Sequence, residues 1–119
     1  MKHQIMWWMS RITIMLTSLA LSMTLAAKAY AADITMGAGG NLVFEPSEIT
    51  ISAGDTVTFT NGDLPPHNIV FLDHSELSHS DLAFMSGEQF PVKFTEAGDY
   101  EFQCEPHAGA GMKGVIHVS

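Results

Sequence analysis

One cysteine in 119 residues leaves no partner for an internal disulfide. Cys104 is therefore an intermolecular link, a buried inert thiol or a functional thiolate. Cations are scarce as well. Five lysines and arginines face thirteen acids, for a net charge of −8, and three of the five, Lys2, Arg11 and Lys28, lie before residue 29. Beyond them only Lys93 and Lys113 stand against all thirteen acids, a net −11. Such a chain is excluded from phosphate-backbone binding, so nucleic acid is not a partner. It suits a partner with a basic docking face, approached under salt-dependent steering. Internal repeats and low-complexity tracts are missing too, which removes solenoids and arrays.

A full-length membrane span is also lacking. The apolar run from Ile12 to Ala27 is interrupted by Thr13, Thr17, Ser18, Ser22 and Thr24, and falls short of the ~20 apolar residues of a spanning helix. It follows a positively charged start and precedes Ala29-Tyr30-Ala31, which has the form of a cleavage site. Residues 1–31 thus read as a secretory signal peptide rather than an uncleaved anchor. Cleavage after Ala31 leaves one domain, Ala32 to Ser119, of 88 residues. At that size a core alone gives marginal stability, and a bound metal would add to it.

What is present reads as strands and turns. Ile49 and Ile51 alternate with polar neighbours, as do Val57 and Phe59 within a threonine-rich run, and Phe90, Val92 and Phe94. Tyr100, Phe102 and Cys104 share one face, and Gly114, Ile116 and Val118 another. Ala53-Gly54-Asp55, Asn61-Gly62-Asp63 and Ala97-Gly98-Asp99 punctuate them. The pattern predicts an all-β sandwich or barrel with at most one short helix. That helix is expected within Ser78–Gly87, where Leu82 and Met85 are at helical spacing and Ser78 or Ser80 can cap. Met36 and Met85 are expected as core filler, Tyr100 as a core anchor, His74 and His79 as solvent-exposed or locally capping residues of a polar loop, and His117 as plain surface.

The chemistry concentrates in Cys104-Glu105-Pro106-His107-Ala108-Gly109-Ala110-Gly111-Met112. A thiolate, an imidazole and a thioether on one loop favour copper over magnesium, calcium or structural zinc. A blue-copper site needs a second histidine, and His67 supplies it. It follows Pro65-Pro66 and opens the apolar strand Asn68-Ile69-Val70-Phe71. Asn68 is placed to tie the two ligand segments by a side-chain hydrogen bond. The ligand set read from the sequence is His67, Cys104, His107 and Met112, holding one copper ion. Cys104 gives covalency, His67 and His107 nitrogen, and Met112 the weak axial bond that tunes potential. No open position remains for substrate, so the chain reads as an electron carrier and not an enzyme.

These segments resemble the plastocyanins, a branch of the cupredoxin family. The resemblance rests on Leu42 to Glu48, Asn61 to Phe71 with Pro66-His67-Asn68, Ala97 to Tyr100, and Cys104 to Met112. Leu64-Pro65-Pro66-His67 and Ser78-His79-x-x-Leu82 look more like cyanobacterial members than plant ones. The resemblance implies a Greek-key β-sandwich with copper at one end and the same four ligands. It implies a soluble monomer shuttling electrons from cytochrome f of the cytochrome bf complex to photosystem I, meeting the membrane only through those complexes. The place would be the thylakoid lumen, or a periplasm for a carrier of another redox chain. It also implies cis peptide bonds before Pro46 and Pro66. His107 would be the electron port, within an apolar patch of Leu42, Leu64, Pro66 and Ala108 to Ala110. Three departures matter for docking: Gln103 stands where plant members carry tyrosine, the plant members' acidic clusters are thinned to scattered residues such as Asp73, Glu76 and Asp81, and Ala108 stands where many cyanobacterial members carry arginine. The other readings are a pseudoazurin-like or amicyanin-like donor, and a copper-delivery module, which one closed site suits poorly.

Overall fold

The computed structural model describes residues 31–119; all of the expected signal peptide except Ala31 lies outside the described residues. Among the described residues, nine strands form two sheets. They are β1 (Ala31–Met36), β2 (Phe44–Glu45), β3 (Glu48–Ile51), β4 (Thr56–Asn61), β5 (His67–Phe71), β6 (His79–Ala83), β7 (Gln89–Lys93), β8 (Gly98–Gln103) and β9 (Lys113–Val118). One sheet has the order β2-β1-β4-β7 and the other β3-β9-β8-β5-β6. The pairs β1–β4 and β3–β9 are parallel and the rest antiparallel. The two sheets share one buried core, so the architecture is the all-β sandwich that the strand pattern predicts.

Alternation decides which side of each strand is buried. Val57, Phe59 and Asn61 of β4 point inward, and Thr56, Thr58 and Thr60 lie between core and solvent. Tyr100 and Phe102 of β8 and Ile116 and Val118 of β9 do the same for the other sheet. Phe102 is the hub of the core. Its ring centroid lies 4.8 Å from Phe44, 5.4 Å from Phe59 and 5.6 Å from Phe71. Edge and tilted contacts of this kind add about 0.5–1.5 kcal/mol per pair beyond the area they bury. Tyr100 is buried as expected, and its hydroxyl donates to the Glu96 carbonyl at 2.7 Å. Pro91 sits in β7, an edge strand, where a missing backbone donor is tolerated. Cis bonds precede Pro46 and Pro66, as the resemblance implies.

The segment expected to be helical is not. Residues His79–Ala83 form strand β6 against β5, and the turn of helix lies earlier, a 3-10 turn at Ser75–Leu77. The reason is where the polar groups go. The Ser78 hydroxyl, expected as a helix cap, accepts from the Phe71 backbone N–H at 2.9 Å. The Ser80 carbonyl accepts from the Asn68 side chain at 3.1 Å. Leu82 and Met85 are not on a buried helix face but exposed, Met85 at 71%. Met36 is core filler as expected; Met85 is not.

Strand direction places the chemistry. β4 and β8 run toward one end of the sandwich, and β5 and β9 start there. That end carries the loops holding His67 and Cys104 to Met112. The far end carries the beginning of β8 and the end of β9.

Candidate metal centre

His67 is the first residue of β5 and is fully buried. Its Nε2 lies 2.6 Å from the Asp63 carbonyl. A carbonyl only accepts, so Nε2 carries the proton and Nδ1 presents a lone pair. That lone pair faces the Cys104 sulfur at 3.7 Å. Gly37 makes the position possible. A Cβ there would collide with the Asp63 carbonyl oxygen and come within 2.7 Å of His67 Nε2, and its φ of 75° is left-handed. Leu64, on the same approach, holds a φ of 56°, a conformation that costs a side-chain-bearing residue about 1–2 kcal/mol. Its side chain is left about half exposed.

Cys104 directly follows β8, continuing the inward face of Tyr100 and Phe102, and is fully buried. Residues Glu105–Ala110 wind into a 3-10 turn that presents His107, with Nδ1 at 3.6 Å from the Cys104 sulfur. The loop is closed by its own backbone. The Cys104 N–H donates to Met112 O at 3.0 Å, and the Met112 N–H to His107 O at 3.2 Å. The left-handed Gly111, φ 88°, turns the chain back into β9. Met112 is fully buried on this loop. The His67 and His107 rings meet at 5.2 Å between centroids.

His67, Cys104 and His107 each offer one ligand atom, all within 4.8 Å of one another. Three ligand atoms placed about 2.0–2.3 Å from one ion in a trigonal set lie about 3.5–4.0 Å apart. The two sulfur–nitrogen distances, 3.7 and 3.6 Å, fall in that window. The donors fit copper, and the folded chain holds them at nearly the ligand spacing. Burial pushes the Cys104 thiol up; backbone N–H groups of Asn68 and His107 pull it down, and the Glu105 charge pushes it up again.

Asn68 ties the two ligand segments together, as its place in the sequence suggests. The Glu105 N–H donates to Asn68 Oδ1 at 2.8 Å, and Asn68 Nδ2 donates to Glu105 Oε1 at 3.0 Å. Sequence reasoning missed Glu105 as the other half of this reciprocal pair. An acid beside a ligand cysteine was the available signal. It also missed Gly37 and the Asp63 carbonyl, which act on His67 only through the folded chain. Around His107 the surface is made of small residues, with Ala108 half-buried and Gly109 and Ala110 exposed.

The other described histidines stay apart from this cluster. His74 lies 3.3 Å from Glu76 and packs on Tyr100; His79 stacks on Phe90. His117 is not plain surface. Its Nδ1 meets Asp99 Oδ1 at 2.6 Å and its Nε2 meets Glu48 Oε1 at 2.7 Å. Both carboxylates accept, so both ring nitrogens donate and the charged form is favoured. The Asp99 bond first, and the Glu48 bond next, raise the His117 pKa.

Comparison with known proteins agrees with this geometry. The family described as copper binding proteins, plastocyanin/azurin family, matches residues 31–119. A chloroplastic plastocyanin of Tetradesmus obliquus is 47% identical over 104 residues, covering 80% of this chain and 72% of its own. A plastocyanin of Scenedesmus fuscus is 50% identical over 98 residues, covering 72% of this chain and 99% of its own. Among solved structures, oxidised plastocyanin from the fern Dryopteris crassirhizoma superposes with a TM-score of 0.65 at 35% identity, covering 74% of this chain and 100% of that one. Pseudoazurin from Methylobacterium extorquens gives 0.57 at 28% identity, covering 75% of each chain.

Proposed function

The chain belongs to the plastocyanin/azurin family of copper-binding proteins, and from that premise we propose how it works and where. Members of the family are electron carriers, not enzymes, and copper is the cofactor. The proposed ligands are His67, Cys104, His107 and Met112. The observation that carries this is the buried cluster in which two imidazole Nδ1 atoms face one cysteine sulfur at 3.7 and 3.6 Å.

Bound copper supplies a one-electron Cu(II)/Cu(I) couple in this site. The chain's part is to hold ligand positions that change little between the two states. The Asp63 carbonyl fixes the His67 ring, the Asn68–Glu105 pair fixes β5 against the Cys104 loop, and the Cys104–Met112 backbone bond closes that loop. Apolar burial around Cys104 and Met112 keeps water from the sulfurs. His107, half-buried among Ala108 to Ala110, brings its ring to the surface and serves as the electron port. Small apolar interfaces suit brief redox encounters.

The partners proposed are cytochrome f as donor and photosystem I as acceptor, in the thylakoid lumen. Two of the relatives above are plastocyanins, one of them chloroplastic. The proposed export signal, residues 1–31, fits a compartment reached across a membrane, with the domain at 32–119. Among the described residues no helix is long and apolar enough to cross a membrane. Stopped-flow electron transfer tests the partners. Fast rates from cytochrome f and to photosystem I, falling with salt, are expected. Slow, salt-insensitive rates with both would assign the carrier to another redox chain, such as one served by pseudoazurin-like donors.

A further inference from the structure

Six large apolar side chains are exposed among the described residues, and four of them lie on loops of the metal end. Val43 precedes β2, Leu64 lies on the β4–β5 connection, and Phe84 and Met85 lie on the β6–β7 connection. Phe84 and Met85 are the most exposed, at 63% and 71%. Their position follows from pairing. Ala83 is opposite His67 in the β5–β6 ladder, so Phe84 is one residue beyond the level of that ligand. Asn61 anchors the loop: its side chain donates to the Met85 carbonyl at 2.9 Å, and its own carbonyl accepts from the Gly87 N–H at 2.7 Å. The Met85 N–H donates to Glu88 Oε1 at 2.9 Å. An aromatic and a thioether are thus held outward on a braced loop rather than left on a loose one.

The charge around them has one sign. Asp63 adjoins Leu64, and Asp81 and Glu88 flank Phe84 and Met85. Of the two lysines among the described residues, Lys93 is at the far end opposite Thr56, and Lys113 starts β9, three strands away from β6. We propose that the electron-transfer docking face extends across the β6–β7 loop, with Phe84 and Met85 as its main apolar contacts. The occupant is a redox protein whose cofactor edge lies in an apolar recess rimmed by lysine or arginine. This rests on the reading of the chain as an electron carrier, and adds residues that the patch around His107 does not contain. An anionic bilayer and a second copy of this chain are both disfavoured by the same acidic rim. Aromatic anchors in apolar recesses carry a large share of interface energy, so these two side chains would set partner choice.

The test uses the full copper-loaded protein and the double variant Phe84→Ser, Met85→Ser, with Phe84→Leu as the conservative control. Reduced mitochondrial cytochrome c, whose haem edge is ringed by lysines, is the protein probe; hexacyanoferrate is the small probe for the His107 edge alone. The expected result is a fall of about tenfold in the rate with cytochrome c, an unchanged rate with hexacyanoferrate, and near wild-type behaviour in Phe84→Leu. An unchanged cytochrome c rate in the double variant overturns the proposal. So does a wild-type dimer by sedimentation that the variant dissolves, or flotation with phosphatidylserine vesicles that the variant loses. Failure of cytochrome f and photosystem I as partners would show in the wild-type rates and leave the cytochrome c comparison standing.

Discussion

His67 and His117 lie at opposite ends of one sandwich, and the fold puts the same ring to opposite uses. At the metal end, one nitrogen of His67 is committed to a backbone carbonyl, so the other keeps its lone pair for a metal. At the far end, both nitrogens of His117 are committed to carboxylates, so the ring serves as a cation joining β3, β8 and β9. Burial does not separate the roles by itself; the partner of each nitrogen does. The metal end is built from loops braced by backbone bonds and glycine, and the far end from a surface ion cluster. The first should be sensitive to shape and the second to pH.

The largest effect should come from damaging what both ends share. Phe102→Ala removes the ring that Phe44, Phe59 and Phe71 pack against, and should cost about 3–5 kcal/mol in urea unfolding of the metal-free protein. A loss below 1 kcal/mol would remove Phe102 from the centre of the core. Next is Asn68→Ala, which strands the Glu105 N–H and unlinks the two ligand segments. Copper affinity should fall about 10–100-fold, read by competition with a chelator; unchanged affinity would mean that the loop bonds alone hold the site. Gly37→Ala should follow, at about 1–3 kcal/mol of overpacking. Its new Cβ meets the Asp63 carbonyl and His67 Nε2, so an altered copper spectrum should accompany the lost stability. A spectrum identical to wild type would show that the contact does not reach the ring.

The smallest effect is at the far end, and its mark is its pH dependence. The folded His117 pKa is raised above the ordinary value. Its stabilising contribution is therefore complete below the unfolded pKa of about 6.5, and is lost as pH rises through the folded value. His117→Gln should destabilise the protein at pH 5.5 and much less at pH 9, by thermal melts of both proteins. A difference that is flat with pH, or that grows as pH rises, would contradict the ion cluster.

The two ends also differed in how much of them could be read beforehand. Cys104, His107 and Met112 stood out because three soft or borderline metal donors fall within nine residues, a local pattern. His67 was legible through its prolines and the apolar strand behind it. Strand alternation gave the all-β class. What failed was judgement that needed neighbours. Leu82 and Met85 have helical spacing, yet the edge of a sheet claimed Ser78 and Ser80 for pairing to β5, and Met85 came out on the surface. His117 looked like plain surface because Glu48 and Asp99 reach it from two other strands. Gly37 touches His67 across thirty residues of chain, and nothing local marks it.

The central claim, that Cys104 with His67, His107 and Met112 holds copper as a blue electron-transfer site, is tested most directly by the visible spectrum of the oxidised, copper-loaded protein beside Cys104→Ser. An intense blue thiolate-to-copper charge-transfer band in the wild type, abolished in Cys104→Ser, is the predicted result. A colourless wild-type copper protein, or a blue band that survives loss of the Cys104 sulfur, would contradict it.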